Sequence, residues 1–315
     1  MDYARLGGSE LVSSVIGLGG GSSSRFGLVK GATKSDAVTL IRTAVDEGIT
    51  FFDGAGICGG VDELLAEALA DCRDRVLIST KVHIGPAVFP FARMRRANQV
   101  SSWIARRSGW SCSAGVLRKR VEQSLRTLRT DRIDILHLHA VSPQQYSSAV
   151  ARVVPELLRM KDEGKLRMVG ITEGFLNDPG HSMLSAALDD SWADAMMVGF
   201  SLQNSSAARV LIPRAKDKGV SVIGMFALRG LSKTQDGEEG IALAELLEEA
   251  GAADLSELAY RYCRHQDGID VVLTGTGNAA HLRQNIAAAL APPLPDSVLE
   301  RLDQLWRDQV GVSTR

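Results

Sequence analysis

Three successive β-branched runs of this chain end in an ionisable side chain: Asp53 closes residues 50–53, Lys81 closes 76–81 and His139 closes 133–139. If the runs are neighbouring parallel strands, their ends lie about 5 Å apart and the three groups converge. An acid beside an amine keeps the amine charged, and the amine in turn favours the anion of any acid nearby. Such a set is suited to managing a proton on a substrate oxygen. Each residue alone is an ordinary structural strand end; the three together point to an active site. His137 is two residues before His139 and shares its face, but no further ligands stand at metal spacing, so the expectation is buried packing and no metal. His83 falls just past Lys81, on the rim.

The elements that would position these groups alternate along the whole chain. Short strand-like runs lie at 15–18, 50–53, 76–81, 133–139, 166–171, 195–198, 220–225 and 271–274, and between them stand amphipathic helical patterns at 35–47, 61–69, 115–128, 149–164, 206–218, 241–250 and 255–265. Repetition of βα units is the mark of a parallel sheet, and eight of them in this length favour a closed (β/α)8 TIM barrel over an open sheet. Ser35 reads as a helix cap, and Gly164 and Gly219 stand where helices should stop. Residues 3–12, with Gly7 and Gly8 at a turn, read as an N-terminal β-hairpin able to plug the barrel floor. Residues 295–310 read as a C-terminal helix outside the barrel, and residues 1–315 as one domain. Residues 82–113 break the rhythm, since a βα loop usually takes roughly 2 to 6 residues. That stretch interleaves Phe89, Phe91, Trp103 and Trp110 with five arginines. It is read either as a substrate lid or partner surface over the site, or as a solvated excursion packed on its own aromatics.

Composition narrows the functional classes. The chain has 315 residues, 45% of them hydrophobic, and a formal net charge of -1, so no global field draws in nucleic acid. No apolar run reaches the roughly 18 to 20 residues of a membrane span. Four scattered cysteines without a CxxC pair read as reduced thiols. The expectation is a cytoplasmic protein acting on a small-molecule substrate. The glycine run at 14–22 lacks a GxGxxG opening a helix, so it is read as a strand end that lets a ligand approach the backbone closely.

The blocks "GITFFDGAGICGG", "DELLAEAL", "ISTK", "SLRTLRTDRIDILHLH", "GKLRMVGITEG", "PRAKDKGVSVIGM" and "LTGTGNAAHLRQNI" follow one another in an order and spacing that resembles the aldo-keto reductases over nearly the whole chain. The resemblance implies a nicotinamide cofactor, NADP or NAD, lying across the barrel top and passing hydride to a substrate carbonyl. Asp53, Lys81 and His139 match three of the family's four catalytic residues. The fourth does not match: the tyrosine that follows the aspartate by five positions is Cys58. A thiol has a pKa of about 8.5, and a lysine beside it lowers this further. Cys58 is also much shorter than tyrosine. It could protonate substrate through a water, act as a nucleophile, or leave room for a larger substrate. His139 or Tyr146, on the loop after its strand, could fill the donor role instead.

The same resemblance implies the cofactor contacts. Thr172 and Glu173 stand where the family holds the nicotinamide carboxamide, with Met197 in place of its glutamine, and Phe200 matches the ring on which the nicotinamide stacks. A glutamate donates a hydrogen bond only when protonated, which weakens that contact. Leu228, Arg229 and Gly230 lie in the loop that wraps the pyrophosphate, Arg229 being its cation. Gly275, Thr276, Gly277, His281, Gln284 and Asn285 match the grip on the adenosine. Gly275 and His281 replace the family's lysine and arginine clamp for a 2'-phosphate, with Arg283 as partial compensation. The function expected is NAD(P)-dependent oxidoreduction of a carbonyl, alcohol or related C=N group. Its rivals are a barrel enzyme of altered, non-redox chemistry such as elimination or isomerisation, and a cofactor-binding regulatory subunit without catalysis.

Overall fold

A computed structural model describes residues 1–21, 24–54, 56, 60–85, 109, 111–175, 177–231 and 237–306, with 237–239 described as backbone only. The chain opens on the expected hairpin, β1 (Tyr3–Arg5) pairing antiparallel with β2 (Val12–Ser14). Eight parallel strands follow: β3 (Ile16–Gly19), β4 (Phe51–Asp53), β5 (Leu77–Val82), β6 (Ile133–Val141), β7 (Leu166–Glu173), β8 (Ala195–Gly199), β9 (Ser221–Met225) and β10 (Val271–Thr274). Each pairs with the next, and β10 pairs back onto β3 through Val272 and Ile16, which closes the barrel. The (β/α)8 expectation holds, and most strand limits fall within two residues of the pattern read from the sequence.

The helices are α1 (Lys34–Asp46), α2 (Val61–Ala68), α3 (Ala114–Leu128), α4 (Pro143–Arg152), α5 (Val154–Asp162), α6 (Ser182–Asp190), α7 (Ser206–Val210), α8 (Ile212–Asp217), α9 (Gly237–Ala250), α10 (Leu255–Arg264), α11 (Ala279–Leu290) and α12 (Asp296–Trp306). Two departures from the sequence reading have the same cause. The helix expected at 149–164 is divided at Val153, and the one at 206–218 at Leu211, because Pro155 and Pro213 have no N–H to give to the preceding turn and are tolerated only in a first turn. The cap of α1 is Thr33 and not Ser35. Thr33 Oγ1 accepts from Asp36 N at 3.1 Å while Asp36 Oδ2 accepts from Thr33 N at 2.8 Å, a reciprocal pair that a residue inside the helix cannot form.

Alternation within each strand separates an inner from an outer core. Inward-facing Phe51, Leu77, Ile135, Met168, Ala195, Ile223 and Val271 fill the lower barrel, and Leu6 and Leu11 of the hairpin turn join them from below. Gly7 N donates to Asp270 Oδ2 at 2.9 Å and Gly8 N to Gly219 O at 2.7 Å, fastening the turn to the loops that lead into β9 and β10. The hairpin is therefore the floor plug. The outward faces pack against the helices in a second, larger core. Residues 86–108 and 110, and with them Phe89, Phe91, Trp103 and Trp110, lie outside the described residues; at the base of that segment Cys112 N donates to Ile84 O at 2.8 Å.

Candidate active site and dinucleotide cleft

Counting upward in steps of two from the floor brings Asp53, Lys81, His139, Thr172, Gly199 and Met225 to the inner rim at the carboxyl ends of the strands. There Lys81 Nζ lies 2.6 Å from Asp53 Oδ1, 2.5 Å from Oδ2 and 2.8 Å from Gly54 O. Ser79 Oγ donates to the same carboxylate at 2.9 Å. The two side chains are 11% and 4% exposed, so the pair is largely buried at the strand ends. An ammonium has three protons, and here all three are committed. Lys81 is thus a fixed positive charge at the rim rather than a free donor.

An irregularity in β6 begins at His139. The register of β6 against β7 shifts between Leu138 and Val141, so that His139 and Ala140 together face Thr172. An extra residue of this kind re-aims a side chain. Ala140 has φ of 49°, and its freed N–H donates to Thr172 Oγ1 at 2.7 Å. The His139 ring meets that of His83 edge-on, with centroids 6.3 Å apart. Asp53, Lys81 and His139 are therefore brought together as expected. His137, one step lower, is completely buried. Burial first, and the Lys81 charge second, push its pKa down to about 3; a weak contact to the Ile171 backbone offsets little, and neither ring nitrogen has a hydrogen-bond partner of good geometry. It is a neutral packing residue, its ring filling the space that a side chain at Gly170 would need.

Cys58 lies outside the described residues. Gly56, two positions before it, is at φ 60°, and a Cβ there would come within 2.2 Å of Lys81 O. The segment therefore requires a bare backbone where it crosses the end of β5. Tyr146 is not at the mouth: it is buried in the outer layer, donating to Asp190 Oδ2 at 2.7 Å and accepting from Trp192 Nε1 at 3.1 Å. Burial, with Asp190 beside it, raises its pKa, so both position and acidity remove it as a proton donor.

On the same face, the loops after β3, β9 and β10 and the start of α10 enclose a cavity of about 1100 Å³. Seven of the expected cofactor residues line it: Leu228, Gly275, Thr276, Gly277, His281, Gln284 and Asn285. Four other expectations need correction or adjustment. Phe200 is 1% exposed and stacked on Tyr262, with ring centroids 5.6 Å apart and planes within 7°. Met197 and Gly199 take the inward positions of β8, so Phe200 must face out; at the end of β9 the inward residue is Met225. Glu173 is buried with both oxygens occupied, by His181 Nδ1 at 2.8 Å and by Gly199 N at 2.7 Å. Thr172 Oγ1 accepts from Ala140 N, which leaves its hydroxyl proton as a donor. Arg283 is drawn off the cavity to Glu47, 2.6 Å away. Arg229 and Gly230 (φ 88°) border the mouth, the Arg229 guanidinium lying 4.8 Å from the centroid of Phe226 and 5.8 Å from that of Phe175. Among the described residues no three potential metal ligands stand together, and no helix is long and apolar enough to cross a membrane.

Sequence reasoning missed Lys30, Ser24 and Gly27 on the cavity wall, His181 behind Glu173, and Met225. Only Met225 left a usable signal, the two-residue alternation from Ile223.

Comparison with known proteins bears on the family and the fold. The sequence model of the Aldo/keto reductase family matches residues 15–307. L-galactose dehydrogenase of Arabidopsis thaliana is 29% identical over 309 residues, covering 91% of this chain and 88% of that protein. Pyridoxine 4-dehydrogenase of Escherichia coli is 22% identical, covering 86% and 87%. Among solved structures, an aldo-keto reductase from Bacillus halodurans in its holo form superposes with a TM-score of 0.77 at 23% identity, over 100% of this chain and 99% of that one. The match over nearly the whole chain makes this an NAD(P)-dependent oxidoreductase in general. This chain belongs to the aldo/keto reductase family.

Proposed function

We propose that this chain reduces a carbonyl, or oxidises the corresponding alcohol, on a small or medium organic molecule, using the rim set Asp53, Lys81 and His139 with Cys58 in place of the family tyrosine. The observation that carries the reading is the largely buried Lys81–Asp53 pair at the strand ends of the barrel that also bears the 1100 Å³ cleft. That cleft suits a dinucleotide: glycines at 275 and 277 leave the backbone bare, and Gln284 and Asn285 offer amides at its far end. When bound there, the cofactor supplies hydride. Leu228, Thr276, His281 and Asn285 would hold its adenosine side, and Arg229 its pyrophosphate. Met225 offers a thioether surface at the rim, since Phe200 faces away from it.

Asp53 fixes Lys81 so that its charge faces the developing oxyanion without rearranging, the arrangement in which electrostatic stabilisation is largest. His139, where the bulge begins, orients the acceptor oxygen. Cys58 delivers the proton through one water, because a thiol does not reach as far as a phenol. The relatives named for L-galactose and pyridoxine keep hydroxylated small molecules in view as substrates.

The test pairs binding with turnover. Dinucleotide titration followed by tryptophan quenching should saturate in the parent, Cys58→Ala and Cys58→Tyr proteins alike. On a panel of aldehydes the parent should turn over, and Cys58→Ala should fall by about 10²-fold, the usual worth of general acid catalysis. An unaffected Cys58→Ala removes the thiol from the chemistry. An inactive parent beside an active Cys58→Tyr shows that carbonyl reduction has been lost.

A further inference from the structure

Three imidazoles gather at this end of the barrel, and the reading so far uses one of them. His137 is completely buried and held neutral, so it exchanges no proton with solvent. His139 orients the acceptor oxygen. His83 is the third. β5 and β6 pair through Lys81 and His137 and through Val82 and Leu138, and one further step of that register sets His83 beside His139. The two rings meet edge-on, with centroids 6.3 Å apart. Both residues are partly exposed, whereas Lys81 and Asp53 next to them are largely buried.

The backbone that carries His83 is pinned from outside. Arg120 of α3 donates through Nη1 to His83 O and, at 3.0 Å, to Gly85 O, and Cys112 N donates to Ile84 O at 2.8 Å. Three successive carbonyls are thereby held. A Cβ on Gly85 would stand 2.3 Å from His83 Nε2, so the bare backbone at Gly85 leaves the ring the place it occupies against His139. Among the described residues, the charged groups around it are Lys81 and Asp53 at the strand ends and Arg120 behind its carbonyl.

Reduction of a carbonyl draws one proton from solvent in every turnover, and the buried pair cannot bring it. All three Lys81 protons are engaged, on Asp53 and on Gly54 O. Imidazole both takes up and gives up a proton around neutral pH, which an engaged ammonium does not. We infer that His83 is the proton relay of this site, connecting the acceptor oxygen and its water to solvent. The inference rests on the carbonyl-reduction reading given above and adds the group that resupplies its proton. As hydride adds to the carbonyl carbon, the C=O π pair moves onto oxygen and takes a proton from the bridging water; the carbonyl is reduced and the dinucleotide oxidised by two electrons. The His83 imidazolium makes good the proton that Cys58 and this water have given up, and the neutral ring takes its replacement from solvent. In alcohol oxidation the same path carries the proton outward.

The experiment follows aldehyde reduction by the full-length protein with NADPH and with NADH, beside dinucleotide titration by tryptophan quenching. His83→Ala should lower kcat by about 10²-fold, the usual worth of a proton-transfer group. Its aldehyde KM and dinucleotide Kd should stay within about 2-fold of the parent's, which also reports that the variant is folded. Imidazole added to the buffer should raise His83→Ala turnover about 10-fold and saturably, because a free ring can enter the vacated place and do the transfer. His83→Gln, which fills that place with a group that does not titrate, should be as slow as His83→Ala and insensitive to imidazole. An active parent with His83→Ala or His83→Gln at the parental rate overturns the relay while leaving carbonyl reduction intact. So does a slow His83→Ala that imidazole fails to rescue, or one that has lost dinucleotide binding. A parent that binds dinucleotide but reduces no aldehyde overturns the carbonyl-reduction reading and the relay together.

Discussion

Glu173 turns away from the barrel axis and holds His181 through a 2.8 Å contact to Nδ1, while its other oxygen takes the Gly199 N–H at 2.7 Å. The relay runs on, His181 Nε2 lying 3.0 Å from Ser206 Oγ, so one buried carboxylate ties the ends of β7 and β8 to α6 and α7. Glu173→Gln presents one acceptor where two donors need one, and should cost about 1–3 kcal/mol at neutral pH by urea unfolding. Burial raises the Glu173 pKa, with His181 and Gly199 opposing. The folded state therefore binds the proton more tightly than the unfolded chain, and this contribution is full in acid and lost as pH rises through and above the ordinary carboxylate range. The variant should lack that slope. An identical pH profile in both proteins would show that Glu173 is not the group responsible.

His137 predicts the opposite dependence. Its folded pKa of about 3 lies below the ordinary 6.5, so the unfolded chain takes up the proton first. Stability is fully present above that ordinary value and falls as pH drops through it, by about 1.4 kcal/mol per unit once well below it. Between pH 7 and pH 5 the parent should lose about 2 kcal/mol from this one residue. His137→Leu, which keeps the volume and removes two unsatisfied nitrogens, should be no less stable at pH 7 and should not show that loss. Parallel losses in both proteins would sink the assignment.

What was legible in the sequence is what repeats. Eight strand runs, their glycine stops and the three ionisable ends obey local periodicity, and they closed into the barrel as read. What was lost depends on which way a residue turns after the last regular position. Phe200 follows Gly199 outward into Tyr262, and Met225 takes the inner rim, although an aromatic matched by family position looked the better platform. Tyr146 is near His139 in sequence but opens a helix on the outer layer. Lys30 enters the cleft only because Gly27 and Gly277 touch across roughly 250 residues of chain, a contact with no periodic trace. Pro155 and Pro213 were readable helix breakers that amphipathic spacing outweighed.

The floor plug makes a claim about stability alone. Leu6 is wholly buried and Leu11 is 6% exposed beneath the lowest inward layer. Leu6→Ala should cost about 2–5 kcal/mol, because the closed strands cannot collapse into the vacated space. Dinucleotide affinity, measured below the unfolding midpoint, should stay at the parent's value since the cleft lies at the other end. A Leu6→Ala protein with parental stability would mean that the hairpin does not seal the barrel.

The Asp53–Lys81 pair separates the proposed catalytic charge from folding energy. At 2.5 Å, with side chains 4% and 11% exposed, the pair gives up hydration on both ions, and removing one partner leaves the other uncompensated. Asp53→Asn should therefore cost about 3–5 kcal/mol of stability. Lys81→Met combined with Asp53→Leu should regain most of it, since apolar side chains of similar volume often replace a buried pair without loss. Turnover should not return with stability: the double variant keeps the cleft, and so dinucleotide affinity within a few-fold, but has no fixed positive charge at the rim to meet the oxyanion. Reduction of aldehydes should fall by about 10³-fold or more in both proteins. A stable double variant that still turned over near the parental rate would move the chemistry away from this pair. One with parental turnover but no dinucleotide affinity would contradict the proposed reaction altogether.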